Sequence, residues 1–226
     1  MSKSRASAIL CTLQRNFAMP TWIQTQQDPF KTLIVAIISQ NTADRNTAKA
    51  FEHLSKKFEI KPEVLARAKK SQIKECLSVA GLYNSKTKTI IHVSKIILEK
   101  FHGSMATVLS LPLEEARRRL IKIPGIGPKT ADVLLLFSAQ KPTIPVDTHV
   151  NRVTKRLGLA PANADYEIVR NNLQNLYEPK DYLMVHLLLI AHGRKFCRAR
   201  NPLCIQCPVN IYCPSKGMTN SNAKNY

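Results

Sequence analysis

The chain has 226 residues, with 34 Lys and Arg against 15 Asp and Glu, a formal net charge of +19. Hydrophobic residues make up 44% and charged residues 22%, which excludes a disordered basic tail and leaves ample chain for a core in one large or two small domains. The longest apolar runs, such as Val133–Phe137 and Leu187–Ala191, are far too short to span a bilayer, and Met1-Ser2-Lys3-Ser4-Arg5 leads into a polar amphipathic segment rather than a signal-peptide core. In chain order, Pro29-Phe30 opens the apolar segment Leu33–Ile38, a buried helix. A helix over roughly 44–58 puts Phe51, Leu54 and Phe58 on one face. Pro62 suits the first turn of the next helix, and Ser71 reads as the N-cap of a segment closing at Gly81. Further helices are expected over roughly 85–101, closing at Gly103, and over 113–122, 129–140, 147–157, 165–177 and 181–192. No stretch alternates as a strand between hairpin turns, so the fold class is all-α. Pro142-Thr-Ile-Pro145 reads as an extended crossover between two helical lobes, and the polar, aperiodic tail 215–226 as disordered.

A charge of +19 on a globular chain calls for an anionic partner, and nucleic acid is the usual one. The turn Ile123-Pro-Gly-Ile-Gly-Pro-Lys-Thr-Ala131 offers a place for it. Gly125 and Gly127 let the backbone turn sharply and approach a ligand closely, and the N–H groups opening the next helix form an anion site for a DNA phosphate. Lys129 falls in the first turn of that helix, where the dipole disfavours a cation; Arg117, Arg118, Arg119 and Lys122 precede it. A neutral amine is a nucleophile able to form a Schiff base, whereas a charged one would simply contact phosphate. Asp147, in Val146-Asp-Thr-His-Val150, is a good N-cap for the next helix, and an ionised cap can also stabilise a developing positive sugar.

Four of the six cysteines, Cys197, Cys204, Cys207 and Cys213, crowd into one short loop, while Cys11 and Cys76 stand alone. Such a cluster reads as a metal site rather than a disulfide framework, either tetrahedral zinc or a [4Fe–4S] cluster, since spacing alone does not decide. The loop Arg198-Ala-Arg-Asn-Pro-Leu203, tied down at both ends, would hold Arg198 and Arg200 against a DNA backbone. His149 reads as a structural hydrogen-bonding residue, His186 as core, Trp22 as packing and Asp44 as a first-turn acid.

Hairpin, Lys129, Asp147 and the four-cysteine loop together resemble the endonuclease III family of helix–hairpin–helix DNA glycosylases, over roughly Pro29 to Cys213. The resemblance implies a two-lobed fold, one lobe over 22–134 carrying the hairpin, the other joining 1–21 to 135–226 and holding a [4Fe–4S] cluster on the four cysteines. It implies a DNA repair enzyme that flips a damaged, oxidised pyrimidine from double-stranded DNA, cuts its glycosidic bond and nicks the strand by β-elimination. Lys129 then matches the Schiff-base lysine and Asp147 the essential carboxylate. Leu82 matches the family's wedge, and either Gln40 or Asn41 the gap-filling residue. Pro128 departs from the basic residue commoner in bacterial members. A monofunctional mismatch or adenine glycosylase would carry Ser or Tyr in place of Lys129, and a non-catalytic iron–sulfur DNA-binding module has no need of Lys129 with Asp147. The enzyme is expected to be an intracellular monomer, cytoplasmic and nucleoid-associated, or nuclear in a eukaryote.

Overall fold

The computed structural model describes residues 2–19 and 28–217, so Trp22 and most of the tail lie outside the described residues. Among these residues the chain is all-helical, with no strand. It divides into two compact units, Gln26–Lys141, and Met1–Thr25 together with Pro142–Tyr226. No helix of the described residues is long and apolar enough to cross a membrane.

In the first unit, Asp28 caps α2 (Pro29–Ser39) by accepting from Lys31 N at 2.7 Å, and Pro29 takes the first turn, where its missing N–H is not needed. Phe30, Leu33, Ile34, Ile37 and Ile38 of α2 lie at the centre of an apolar core. Around them are α3 (Asp44–Lys57), α4 (Pro62–Arg67), α5 (Lys70–Cys76) and α6 (Tyr83–Phe101), followed by α7 (Ala106–Ser110), α8 (Leu113–Ile121) and α9 (Pro128–Phe137). Burial in α6 recurs at Lys86, Ile90, Val93 and Ile97, the spacing of one helix face.

Three expectations are corrected here. Ser71 is not an N-cap: α5 starts at Lys70, with Lys69 before it, and Ser71 lies inside the helix. Nor does Gly81 close that helix in a left-handed conformation. The chain leaves α5 at Cys76 through tight turns, Ala80 N donating to Leu77 O at 2.8 Å, and the left-handed residue is Leu82, with φ 57°. Finally, α9 ends at Phe137 rather than 140, because Gln140 (φ 51°) turns left-handed and Lys141 N closes back on Leu135 O at 2.8 Å. Gly103, by contrast, follows α6 with φ +79°, as its position suggests.

The second unit holds α1 (Lys3–Asn16), α10 (Thr148–Arg156), α11 (Tyr166–Leu176) and α12 (Tyr182–Lys195). Ala6, Ile9, Leu10 and Leu13 form the buried stripe of α1, at the spacing that carries it into this unit's core. The segment between Pro142 and α10 has no regular structure and is pinned by side chains. Arg170 Nε donates to Thr143 Oγ1 at 3.0 Å, and His186 Nδ1 pairs with Pro145 O at 2.9 Å, which makes His186 the buried structural histidine expected of it.

Candidate functional site

The hairpin between α8 and α9 is anchored from inside. Ile123 and Ile126 are buried, and Ile126 N donates to Ile123 O at 3.0 Å, closing the turn. Gly125 has φ +99°, and a Cβ there would lie 2.5 Å from Thr89 Cγ2 of α6, so both backbone and space demand glycine. Gly127 differs: φ is −87°, open to any residue, and nothing lies within 4 Å of where its Cβ would be. Its missing side chain leaves open space in front of α9 rather than making the turn.

No side chain caps α9, so its first N–H groups remain available to an anion. Lys129 stands in this first turn, exposed, with no hydrogen-bond or ion-pair partner among the described residues. One turn on, Asp132 is 0% exposed and takes a two-pronged contact from Arg117 of α8, at 2.9 and 3.2 Å. That buried pair locks α9 to α8, and removing one partner strands the other charge, a loss of about 3–5 kcal/mol. It also changes the picture of the basic run before the hairpin. Arg117 is spent on Asp132, Arg118 Nε reaches Glu114 O at 3.4 Å, and Arg119 pairs with Glu115 at 2.7 Å. Lys129 at the mouth of the helix, like the exposed Lys122 that closes α8, has no such side-chain partner among the described residues.

Two loops of the same unit meet beside α6. Gln40 and Asn41 leave α2, both exposed, Asn41 with φ 51°. Leu82 is 61% exposed and left-handed, so it does not pack against the core after a glycine cap. The Asn41 carbonyl lies 3.4 Å from where a Cβ on Gly81 would sit.

In the other unit, Asp147 caps α10, Oδ1 accepting from Val150 N at 2.7 Å. Capping uses one oxygen; Oδ2 has no hydrogen-bond partner among the described residues, and the carboxylate's charge is felt by Arg152. The half-buried carboxylate opens on a shallow pocket lined by Thr148, Asn151, Lys155, Asp165 and Tyr166. His149 has its Nδ1 3.1 Å from the Arg152 guanidinium, in keeping with a structural role.

The four cysteines come together. Cys197, Cys204, Cys207 and Cys213 line one almost wholly apolar pocket with Arg156, His192, Phe196 and Leu203, and none is in a disulfide. Burial pushes the Cys207 thiol up to about 11, raises Cys213 and drives His192 down to about 4. A bare thiolate is therefore unwelcome in this pocket unless a metal's positive charge joins it. Among the described residues no three His, Cys, Asp or Glu side chains converge on a point for a single metal ion.

Sequence reading missed what holds this loop. Arg156 donates to the carbonyls of Arg198 (2.6 Å) and Ala199 (3.1 Å), and Arg152 to those of Cys197 (2.9 Å) and Gly193 (3.1 Å). Burial lowers Arg152 from its ordinary value. With the backbone gripped from beneath, the Arg198 and Arg200 side chains are exposed and unpaired. The available signal was the spacing of four between Arg152 and Arg156 on the face of α10 that also buries Val153.

The description "HhH-GPD superfamily base excision DNA repair protein" matches residues 34–179. The chain is 36% identical over 185 residues to the endonuclease III of Sulfolobus acidocaldarius, covering 81% of each chain. It is 33% identical over 216 residues to that of Escherichia coli K12, covering 96% of this chain and 98% of the relative. In structure it is similar to an endonuclease III trapped as a covalent intermediate with DNA, with a TM-score of 0.84 and 26% identity over 96% of this chain and 97% of that one.

Proposed function

We propose that this chain, which belongs to the endonuclease III family of HhH-GPD base excision DNA repair proteins, uses Lys129 as its nucleophile and Asp147 as its electrostatic partner. It is a bifunctional DNA glycosylase and AP lyase acting on double-stranded DNA with damaged bases or abasic sites. Oxidised pyrimidines are the substrate class we assign, acted on inside the cell, where the DNA is. The observation that carries the reading is an exposed, unpartnered primary amine at the uncapped start of α9.

Backbone N–H groups of the hairpin hold a phosphate, with Gly127 leaving room for its approach. Leu82 enters the stack as the base turns out, and Gln40 or Asn41 takes its place opposite the orphaned partner. Lys129 Nζ attacks the sugar C1′, the C1′–N bond breaks and the base leaves with a proton. The free Asp147 oxygen faces the positive charge that builds on the sugar, while its other oxygen keeps α10 capped. Opening of the sugar gives an imine; loss of a C2′ proton then breaks the C3′–O bond, and water releases the lysine. Arg198 and Arg200, held out by the loop, add backbone contacts that carry no sequence preference. Borohydride added to the protein on an abasic duplex tests this: a covalent protein–DNA adduct is expected, and its absence overturns the imine.

Cys197, Cys204, Cys207 and Cys213 fit a [4Fe–4S] cluster better than zinc. The four cysteines line one apolar pocket, and the buried Nε of Arg156, which lines it too, has no hydrogen-bond partner, as suits a neighbouring anionic iron–sulfur group. When bound, the cluster supplies four metal–thiolate links that tie the loop into the unit. Purified without oxygen, the protein is expected to be brown, with about four irons per chain. A colourless protein with one zinc would overturn the cluster while leaving the glycosylase reading in place.

A further inference from the structure

Lys86 lies in the first turn of α6 and is only 3% exposed. Both facts oppose a cation there: the helix dipole is positive at that end, and burial strips the ammonium of water. Its side-chain partner among the described residues is the hydroxyl of Thr42, and no carboxylate pairs with it. Burial accordingly lowers its proton affinity. A methionine would fill the same space without these penalties, so the ammonium must do something that packing does not.

What it does is visible in its connections. Lys86 N donates to Leu82 O at 3.1 Å, and Lys86 Nζ donates to Thr42 Oγ1. Thr42 Oγ1 in turn donates to Gln40 O at 3.2 Å, and Thr42 N to Ser39 O at 3.2 Å. The Lys86 side chain therefore spans from the first helical turn, whose backbone holds Leu82, to the turn that carries Gln40 and Asn41, with hydrogen bonds at both ends. Asn41 and Leu82 are both non-glycine residues in left-handed conformations, which persist only where the surroundings hold them.

We propose that Lys86 is a positioning residue that locks the Gln40–Asn41 turn and the Leu82 turn into one rigid platform, so that wedge and gap-filler enter the duplex together. This rests on the assignment of those residues as the ones that enter DNA. Two independent fingers would each have to be ordered on contact with DNA; a preformed platform is ordered already.

The test places 2-aminopurine opposite a stable abasic analogue in duplex DNA, where entry of the protein unstacks the probe and raises its fluorescence. Lys86→Met keeps the volume and removes the donor. It should lose most of that rise and slow single-turnover excision of a base-paired lesion about tenfold or more, as expected when flipping is impaired. Borohydride trapping on a single-stranded abasic strand, which needs no wedge, should stay within about twofold of wild type; a merely unfolded protein would lose it too. Thr42→Val, which keeps the side chain's shape and removes its hydroxyl, should give the same defect, and the double variant should be no worse than either single one. A full fluorescence rise with both single variants overturns the platform alone. No rise with the wild-type protein overturns the DNA-entry assignment and the platform with it.

Discussion

Lys129→Gln is expected to lower strand cleavage by several orders of magnitude and to abolish the borohydride-trapped adduct, while binding to a lesion-containing duplex and thermal stability stay near wild type. The structure makes this a clean substitution. Lys129 is exposed and touches no partner among the described residues, so no buried contact is lost. Glutamine has nearly the helix propensity of lysine, and the hairpin's rigidity comes from Ile123, Ile126, Gly125 and the Arg117–Asp132 pair, none of which is altered. Gel-resolved cleavage and trapping measure the loss, and the unfolding midpoint checks that the scaffold is intact. A normal adduct with this variant would move the imine to another amine of the chain and remove the assigned role of Lys129.

What could be read from the sequence was local. The start of α2 follows from Asp28 and Pro29, and those of α10 and α11 from Asp147 and Asp165, because a cap and its helix lie within four residues of each other. The hairpin and the cysteine loop were legible for the same reason, each being a contiguous run whose spacing carries its chemistry. Missing were α7, five residues long and too short for a periodic signal, and α1, whose apolar stripe was read only as an amphipathic segment. The conformation of Leu82 was also missed, since the glycine beside it is the more natural left-handed residue.

Side chains that work at long range were out of reach. Arg152 grips a carbonyl 45 residues ahead, Arg156 one 42 residues ahead, and Lys86 reaches a hydroxyl 44 residues back. In the sequence each is one basic residue among 34, indistinguishable from a solvated surface charge. Only the packed structure shows that these three are buried and that Arg198, Arg200 and Lys129 are not. The net charge pointed to DNA; burial decides which cations can meet it.

Asp147 caps α10, and the electrostatic role proposed for it beside the sugar can be pulled apart from that cap by a pair of substitutions. Asp147→Asn retains a side-chain oxygen for Val150 N, and asparagine caps helices as well as aspartate does, so stability should change by only a few tenths of a kcal/mol. Asp147→Ala removes the cap and should lower stability by about 0.5–2 kcal/mol. Both remove the negative charge proposed to face the sugar, so both should slow base excision by about 10²- to 10³-fold, the usual effect of losing one electrostatic contact to a transition state. Single-turnover excision and chemical unfolding, run side by side, separate the two roles. Abasic DNA adds a third measurement, because the base has already gone and no sugar cation has to be stabilised to expel it. There Asp147→Asn should keep much more activity than Lys129→Gln, which lacks the imine-forming amine whatever the substrate. If Asp147→Asn excised damaged bases at the wild-type rate, the carboxylate would be a helix cap and nothing more, and the charge opposite the sugar would have to come from another acidic residue.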